Sequence, residues 1–209
     1  MRKNIYLSLT FLLITSFGIA QIQKGSILLG GGINVSTSKI KDVNIDSKSN
    51  YISITPAAGI AIKNNMIVGV GIIYGHSKNY FTSTPTQSES NTYGGEVFLR
   101  KYLTLGKSFY LFGQTGFYYH SNNYNYTYTT GTVSKQNDWS TGINIYPGIS
   151  YAVTKKFHLE LSLAQLVNLE YSKSKITGAT NREASGVNFG VNASSLSNFN
   201  IGFRVFLSK

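Results

Sequence analysis

Residues 56–75 read PAAGIAIKNNMIVGVGIIYG, and their apolar positions alternate around a polar turn, Lys63-Asn64-Asn65. One face carries Ile60 and Ile62, then Val68, Val70 and Ile72. The other carries Ala57, Gly59, Ala61, Gly69, Gly71 and Gly75, with Ile67 and Ile73 as its bulky exceptions. A period of two means strand, because successive side chains point to opposite faces of a sheet. A half-buried strand of a soluble sheet is polar on its second face. Here the second face is tiny. That suits a crowded interior, and it turns the branched residues outward, where lipid tolerates them and water does not.

The same alternation recurs along the chain. It predicts eight strands, at about 26–36, 51–62, 66–77, 92–104, 108–121, 139–152, 157–170 and 197–207. Their connections alternate in length. Long ones, rich in Ser, Thr, Asn and Lys, run 37–50, 78–91, 122–138 and 171–196; short ones run 63–65, 105–107 and 153–156. An even strand count with long loops at one end and tight turns at the other is the layout of a membrane barrel. The strands are also long enough to cross a bilayer when tilted.

The faces agree with that layout. The expected lipid face includes Ile27, Leu29, Ile33 and Val35, then Ile52, Ile54, Ala58, Ile60 and Ile62, then Val97, Leu99 and Leu103. It continues through Ile143, Ile145 and Ile149, Leu159, Leu161 and Leu163, and Ile201, Phe203, Val205 and Leu207. The opposite face carries Ser53, Thr55, Asn144, Ser150, Ser162 and Asn200, and most of the strand charges. Aromatic residues gather near the strand ends. Tyr74, Phe117, Tyr119, Trp139 and Phe199 lie toward the long loops; Phe109, Tyr151 and Phe157 lie toward the short turns. Two such girdles are expected where rings meet the headgroup layer. Lys101 falls on the lipid face near a turn, from which its stem can snorkel. Gln165 falls there too, so a bulge is expected within 164–169 and the register through 164–172 stays open.

Composition narrows the classes. Charged residues are 13% of the chain, about half of an ordinary soluble domain. There is no Cys, which excludes disulfides, thiolate catalysis and Cys-based zinc sites. The first residues, MRKNIYLSLTFLLITSFGIAQ, have a basic start, an apolar stretch too short to span a bilayer, and small residues before Gln21. We expect residues 1–20 to be a cleaved signal peptide and residues 21–209 to be one barrel domain. Losing Arg2 and Lys3 lowers the formal net charge from +11 to +9. The basic residues form no single stripe, so nucleic acid is not an expected partner. Several stand at the short turns, namely Lys63, Lys107, Lys155 and Lys156, where they could face anionic headgroups.

Four segments, ISITPAAGIAIKNNMIVGVGI (52–72), VFLRKYLTLGKSFYLFGQTG (97–116), INIYPGISYAVTKKFHLELSLA (143–164) and NFNIGFRVFL (198–207), have the strand-turn-strand phrasing of small outer-membrane barrels. In this the chain resembles the OmpA/OmpX-like, porin-family β-barrel proteins of Gram-negative bacteria. The resemblance implies an all-β fold: an eight-stranded antiparallel up-and-down transmembrane barrel with short periplasmic turns and long extracellular loops. It implies a place in the cell outer membrane, with outer-membrane lipid as a partner and a monomeric state. The last segment resembles the C-terminal signal read by the barrel-insertion machinery, although it ends in Ser208-Lys209 and not in an aromatic residue. An eight-stranded lumen is just wide enough to be filled by side chains. Gly59, Gly69 and Gly71 would therefore make room for inward Phe98, Phe112, Tyr118 and Tyr146.

The candidate chemistry lies in three places. Glu96, Arg100, Glu160 and Arg204 are expected inside the barrel as a polar network of ion pairs, a plug in preference to a selectivity filter. Tyr124, Tyr126 and Tyr128, in YYHSNNYNYTYTTG (118–131), alternate with polar residues. They are candidate surface-binding aromatics for a glycan or protein ligand, or else mark a hairpin that continues past the bilayer. The three histidines, His76, His120 and His158, raise lipid-modifying catalysis, which would need a Ser within hydrogen-bond reach of a His at the outer rim. His76-Ser77 and His120-Ser121 are neighbours on a strand and so point to opposite faces. We expect no enzyme, no cofactor and no metal site. The expected role is structural or surface-interacting, with at most a narrow, mostly plugged pore. Two alternatives remain: a soluble lipocalin-like binder with its apolar face turned inward, and the lipid-modifying enzyme.

Overall fold

A computed structural model describes residues 21–42, 45–82, 87–128, 130–131, 133–163, 165–178, 181–191 and 199–207. The expected signal peptide lies outside them. Eleven strand segments are present: β1 (Ile27–Asp42), β2 (Ile45–Ile54), β3 (Ala57–Lys63), β4 (Met66–Phe81), β5 (Gln87–Thr104), β6 (Phe109–Thr127), β7 (Val133–Ala152), β8 (Phe157–Leu163), β9 (Val167–Thr177), β10 (Arg182–Val191) and β11 (Phe199–Leu207). They amount to eight antiparallel barrel strands. Pro56 interrupts β2–β3 because it has no N–H to give the ladder. The register against β4 nevertheless runs on unchanged, from Ile54↔Tyr74 to Ala57↔Gly71. β8–β9 make one strand, and β10 and β11 lie along its other edge. The ring closes where β11 pairs with β1, from Ile27↔Leu207 to Gly32↔Gly202. Closure leaves no long edge in hydrocarbon, which is what a spanning sheet requires.

The facing is the one the alternation predicts. Ile33, Val35, Ile52, Ile72, Val97, Ile143, Leu159 and Ile201 are all exposed on the outer wall. Leu28, Ile67, Phe98, Tyr102, Tyr110, Phe112 and Phe206 are buried inside. This removes the soluble lipocalin-like reading, which needs the large apolar residues in the lumen. On the outer wall the aromatic bands are paired rings. Tyr74 and Tyr93 lie 5.5 Å apart toward the long hairpins, where Trp139 also contacts Tyr119 and Tyr171. Phe109 and Tyr151 lie 4.8 Å apart beside the short turns. The side chain of Phe199 is outside the described residues.

Three expectations change. The stretches 37–50, 78–91, 122–138 and 171–196 are not mainly loops. Most of each is paired strand: β1–β2 pair out to Asp42↔Ile45, β4–β5 to Tyr80↔Gln87, β6–β7 to Thr127↔Val133 and β9–β10 to Arg182↔Ile176. Polar composition marked where the lipid ends, not where the strand ends. Second, the expected bulge is real. Pairing along β7 runs from Gly148↔Ser162 to Ile145↔Val167, so the β8–β9 strand holds two residues more than its partner. Within that irregularity Gln165 lines an inner cavity and is not a lipid-facing residue. Third, the small inner face has two uses. A Cβ on Gly69 would overlap the Phe98 ring, and one on Gly59 would come within 2.9 Å of Ile67 Cγ2. Gly71 instead faces Glu96, with no aromatic over it.

The lower lumen is filled. Tyr102 contacts Tyr110, Phe112 and Phe206, and His158 packs between Tyr110 and Phe206. Residues 21–26 lie across part of the short-turn end, beside a cavity of about 600 Å³ that reaches Tyr110, His158 and Phe206. The N–H of Ile22 donates to Asn65 Oδ1 at 2.9 Å, that of Lys24 to Asn64 Oδ1 at 3.0 Å, and that of Gly25 to the carbonyl of Ala61 at 2.8 Å. Asn65 can hold this tight turn because it takes a left-handed conformation, with φ of 60°.

Candidate functional site: the lumen network and the vestibule

Arg100 and Tyr102 on β5, Phe112 and Gln114 on β6, Glu160 on β8 and Arg204 on β11 share the inner face by strand parity. Arg100 is 1% exposed. Its Nη1 donates to both oxygens of Glu160, at 2.9 and 2.7 Å, and its Nε donates to Gln114 Oε1 at 2.7 Å. Tyr102 donates its hydroxyl to Glu160 Oε1 at 2.8 Å. The guanidinium also lies 4.4 Å from the centre of the Phe112 ring, a cation–π contact in a dry setting. Arg204 brings Nε to 3.2 Å from Glu160 Oε2, an ion pair by distance, but that N–H is not aimed well enough to be a hydrogen bond.

The four residues singled out from sequence therefore split. Arg100, Glu160 and Arg204 form one ionic knot. Glu96 is hydrogen-bonded to it through Gln114, whose Nε2 donates to Glu96 Oε1 at 3.1 Å. A buried charge needs both a counter-charge and hydrogen bonds on its remaining polar atoms. Gln114 and Tyr102 supply these, and sequence reasoning missed both. Their signal was present: each has the parity of Arg100 or Phe112. Above the knot a cavity of about 510 Å³ remains, bordered by Glu96, Asn144, Tyr146, His120 and Gln165.

Higher still, the hairpins enclose a vestibule. Tyr124 and Tyr126 are half-buried on its inner wall and stack on each other, 6.0 Å apart and 10° from parallel. They are not displayed outward as a strip. Tyr126 donates its hydroxyl to Gln136 Oε1 at 3.3 Å, and Gln136 donates to Asp138 Oδ2 at 2.8 Å. Burial pushes both tyrosine hydroxyls up from their ordinary pKa, with the Asp138 charge a smaller cause in the same direction. Tyr128 lies just past the end of β6. Outside, Lys78 pairs with Glu89 at 2.5 Å and Lys173 pairs with Glu183. The hydrogen bond in each pair holds the carboxyl below its ordinary range and the lysine above its own.

The histidines separate as their parity requires. His76 faces outward, its Nδ1 2.9 Å from Asn91 Oδ1. His120 faces inward against Tyr118, ring centres 4.7 Å apart. Neither meets a serine among the described contacts. A Ser–His contact does occur at the opposite end, where Ser150 Oγ lies 3.1 Å from His158 Nδ1. Ser150 is 0% exposed, so its hydroxyl cannot meet a lipid in this arrangement.

No protein-family model matches the chain, and no curated protein matches it significantly. Among solved structures it is similar to a major outer membrane protein of Thermus thermophilus, at 7% identity and TM-score 0.51, over 88% of this chain and 99% of that one. Two others are more distant in shape. Neisserial surface protein A matches at 16% identity and TM-score 0.43, over 87% and 97% of the two chains. The translocator domain of the autotransporter NalP from Neisseria meningitidis matches at 12% and 0.49, over 90% and 65%. These likenesses concern fold alone. The apolar outer wall between two aromatic bands supplies the rest of the argument: the chain is a membrane-spanning β-barrel with the outer-membrane barrel fold.

Proposed function

We propose that this is a plugged barrel of the OmpA/OmpX-like, porin-family kind, whose hairpins and not its lumen do its work. It would be a structural and surface-interaction protein of the outer membrane, at most poorly permeable to small solutes, and not an enzyme. The observation that carries the reading is the closed lower lumen: the Arg100–Glu160–Arg204 knot sits above a layer of aromatic rings and the 21–26 segment. Above this closure the strands run on, in hairpins that extend past the outer aromatic band. The Tyr124–Tyr126 stack beside Gln136 and Asp138 fits a flat polar partner such as a glycan, because rings offer apolar faces and the amide and carboxylate fix hydroxyls.

Single-barrel conductance in a planar bilayer tests the plug. Steady currents of a water-filled pore from the wild-type barrel would sink it. A glycan array probed with the folded barrel tests the hairpins, with Tyr124→Ala/Tyr126→Ala as the control that should lose any signal. The barrel-insertion machinery would read the β11 segment, and the folded chain would be a monomer.

A further inference from the structure

The outer wall above the aromatic band carries lysines in an arrangement that calls for an anion. Lys39 on β1 and Lys48 on β2 are direct register partners. Both are exposed, and parity puts both on the outer face, in line with Val35 and Ile52. Like charges directly opposite each other destabilise a strand pair. Among the described residues, no carboxylate pairs with either lysine. Asp46, on the same outer face, stands opposite Lys41, and Glu89 is taken by Lys78. Lys48 stands opposite Tyr80, whose ring also lies 5.4 Å from Lys78 Nζ.

Height decides what the anion is. Lys39 and Lys48 lie two outward positions beyond Val35 and Ile52. Four residues of strand are about 13 Å of contour, or about 10 Å of height at a tilt near 40°. That is the outer part of the headgroup layer, within reach of a lysine that leans its stem along the wall. We propose that the outward face of the first two hairpins, β1–β2 and β4–β5, binds phosphate-bearing headgroups of anionic lipid in the outer leaflet, with Lys39 and Lys48 at its centre and Tyr80 beside them. Lys39 and Lys48 stand on the outer wall, so they face the annulus of lipid and not the vestibule.

The test uses the folded barrel in phosphatidylcholine bilayers. The chain has a single tryptophan, Trp139. In a Trp139→Phe/Ile52→Trp background the lone indole, two outward positions below Lys48 on the exposed wall, reports the acyl chains of the lipid beside it. Quenching by brominated phosphatidate is compared with quenching by brominated phosphatidylcholine. Phosphatidate should be preferred by about fivefold per lysine. Lys39→Gln/Lys48→Gln should bring the preference close to one, the single Lys48→Gln should give an intermediate value, and Lys39→Arg/Lys48→Arg should keep it. A faster-migrating unboiled band certifies folding of each variant. Equal quenching by the two lipids in the reporter barrel, or a preference that survives Lys39→Gln/Lys48→Gln, overturns the proposal. Loss of the preference in millimolar inorganic phosphate, with no loss in equimolar sulfate, would assign the surface to a free phosphate and overturn the lipid assignment.

Discussion

Substituting Glu160→Gln removes one charge and almost no volume, so it isolates the electrostatics of the knot. In the folded barrel Glu160 accepts two hydrogen bonds from Arg100 and one from Tyr102 and faces Arg204 at 3.2 Å. Arg100 cannot escape to water, because it is 1% exposed and lies against Phe112. Arg204, with 11% of its side chain exposed, has more freedom to turn away. Leaving one buried guanidinium without its carboxylate costs about 3–5 kcal/mol. With a urea slope of about 2 kcal/mol per molar, the unfolding midpoint should fall by about 2 M. The assay is a urea titration of the micelle-bound barrel, followed by Trp139 fluorescence and checked by the unboiled gel shift. Arg100→Met/Glu160→Leu is the companion. It removes both charges, so its loss should be far smaller than the two single losses added, with a coupling of about 2 kcal/mol or more. A Glu160→Gln midpoint within about 0.3 M of wild type, which is about 0.6 kcal/mol at that slope, would show that water screens Glu160. The lumen would then be wet at this level and the knot would not be a plug.

Other outcomes follow from the same geometry. Gly69→Val should destabilise the barrel by about 1–3 kcal/mol through overpacking against Phe98, and Phe98→Leu in the same chain should recover part of that loss in the urea titration. His158→Ala should cost stability by opening a cavity between Tyr110 and Phe206 while leaving any surface binding untouched; loss of binding without loss of stability would contradict a purely structural role. The outer ion pairs should respond to acid. Glu89 and Glu183 are held below the usual glutamate pKa of about 4.3. Their stabilisation is therefore complete above that value and is lost as pH falls through their lower folded values. Amide exchange should speed up at the β4–β5 and β9–β10 hairpins there, while the barrel wall keeps its protection.

How much of this was legible in the sequence depended on which physical rule governed each residue. Period-two alternation is a backbone property, so it gave the facing of Ile52, Val97 and Leu159 directly. It also gave the shared interior of Glu96, Arg100, Glu160 and Arg204. It could not give their heights, because a barrel's stagger is set by pairing that one strand does not display. Hence Glu96 came out as an equal member, although the stagger leaves it outside the ionic knot and bonded to Gln114. Strand ends were misread for a related reason. Residues such as Ser121, Asn123 and Asn125 are polar on the outer wall because they stand in water above the bilayer, yet their backbone continues the ladder to Thr127↔Val133. Polarity there reports the solvent and not the secondary structure.

The same point explains where the tyrosines went. Tyr124 and Tyr126 were legible as a repeating aromatic pair, and their alternation with Asn123 and Asn125 was legible as strand. The side on which they fall follows from counting in twos from Phe112, which must be inside because Gly148 makes room for its ring. That count carries through Gln114 and Tyr118 to Tyr124 and Tyr126 without a bulge, since the β6–β7 register is continuous from Phe109↔Tyr151 to Thr127↔Val133. An aromatic pair inside a hairpin-walled vestibule meets only partners slim enough to enter it, whereas the lysines on the outer wall meet whatever surrounds the barrel. The two surfaces thus address different classes of partner, and parity along one uninterrupted strand separates them.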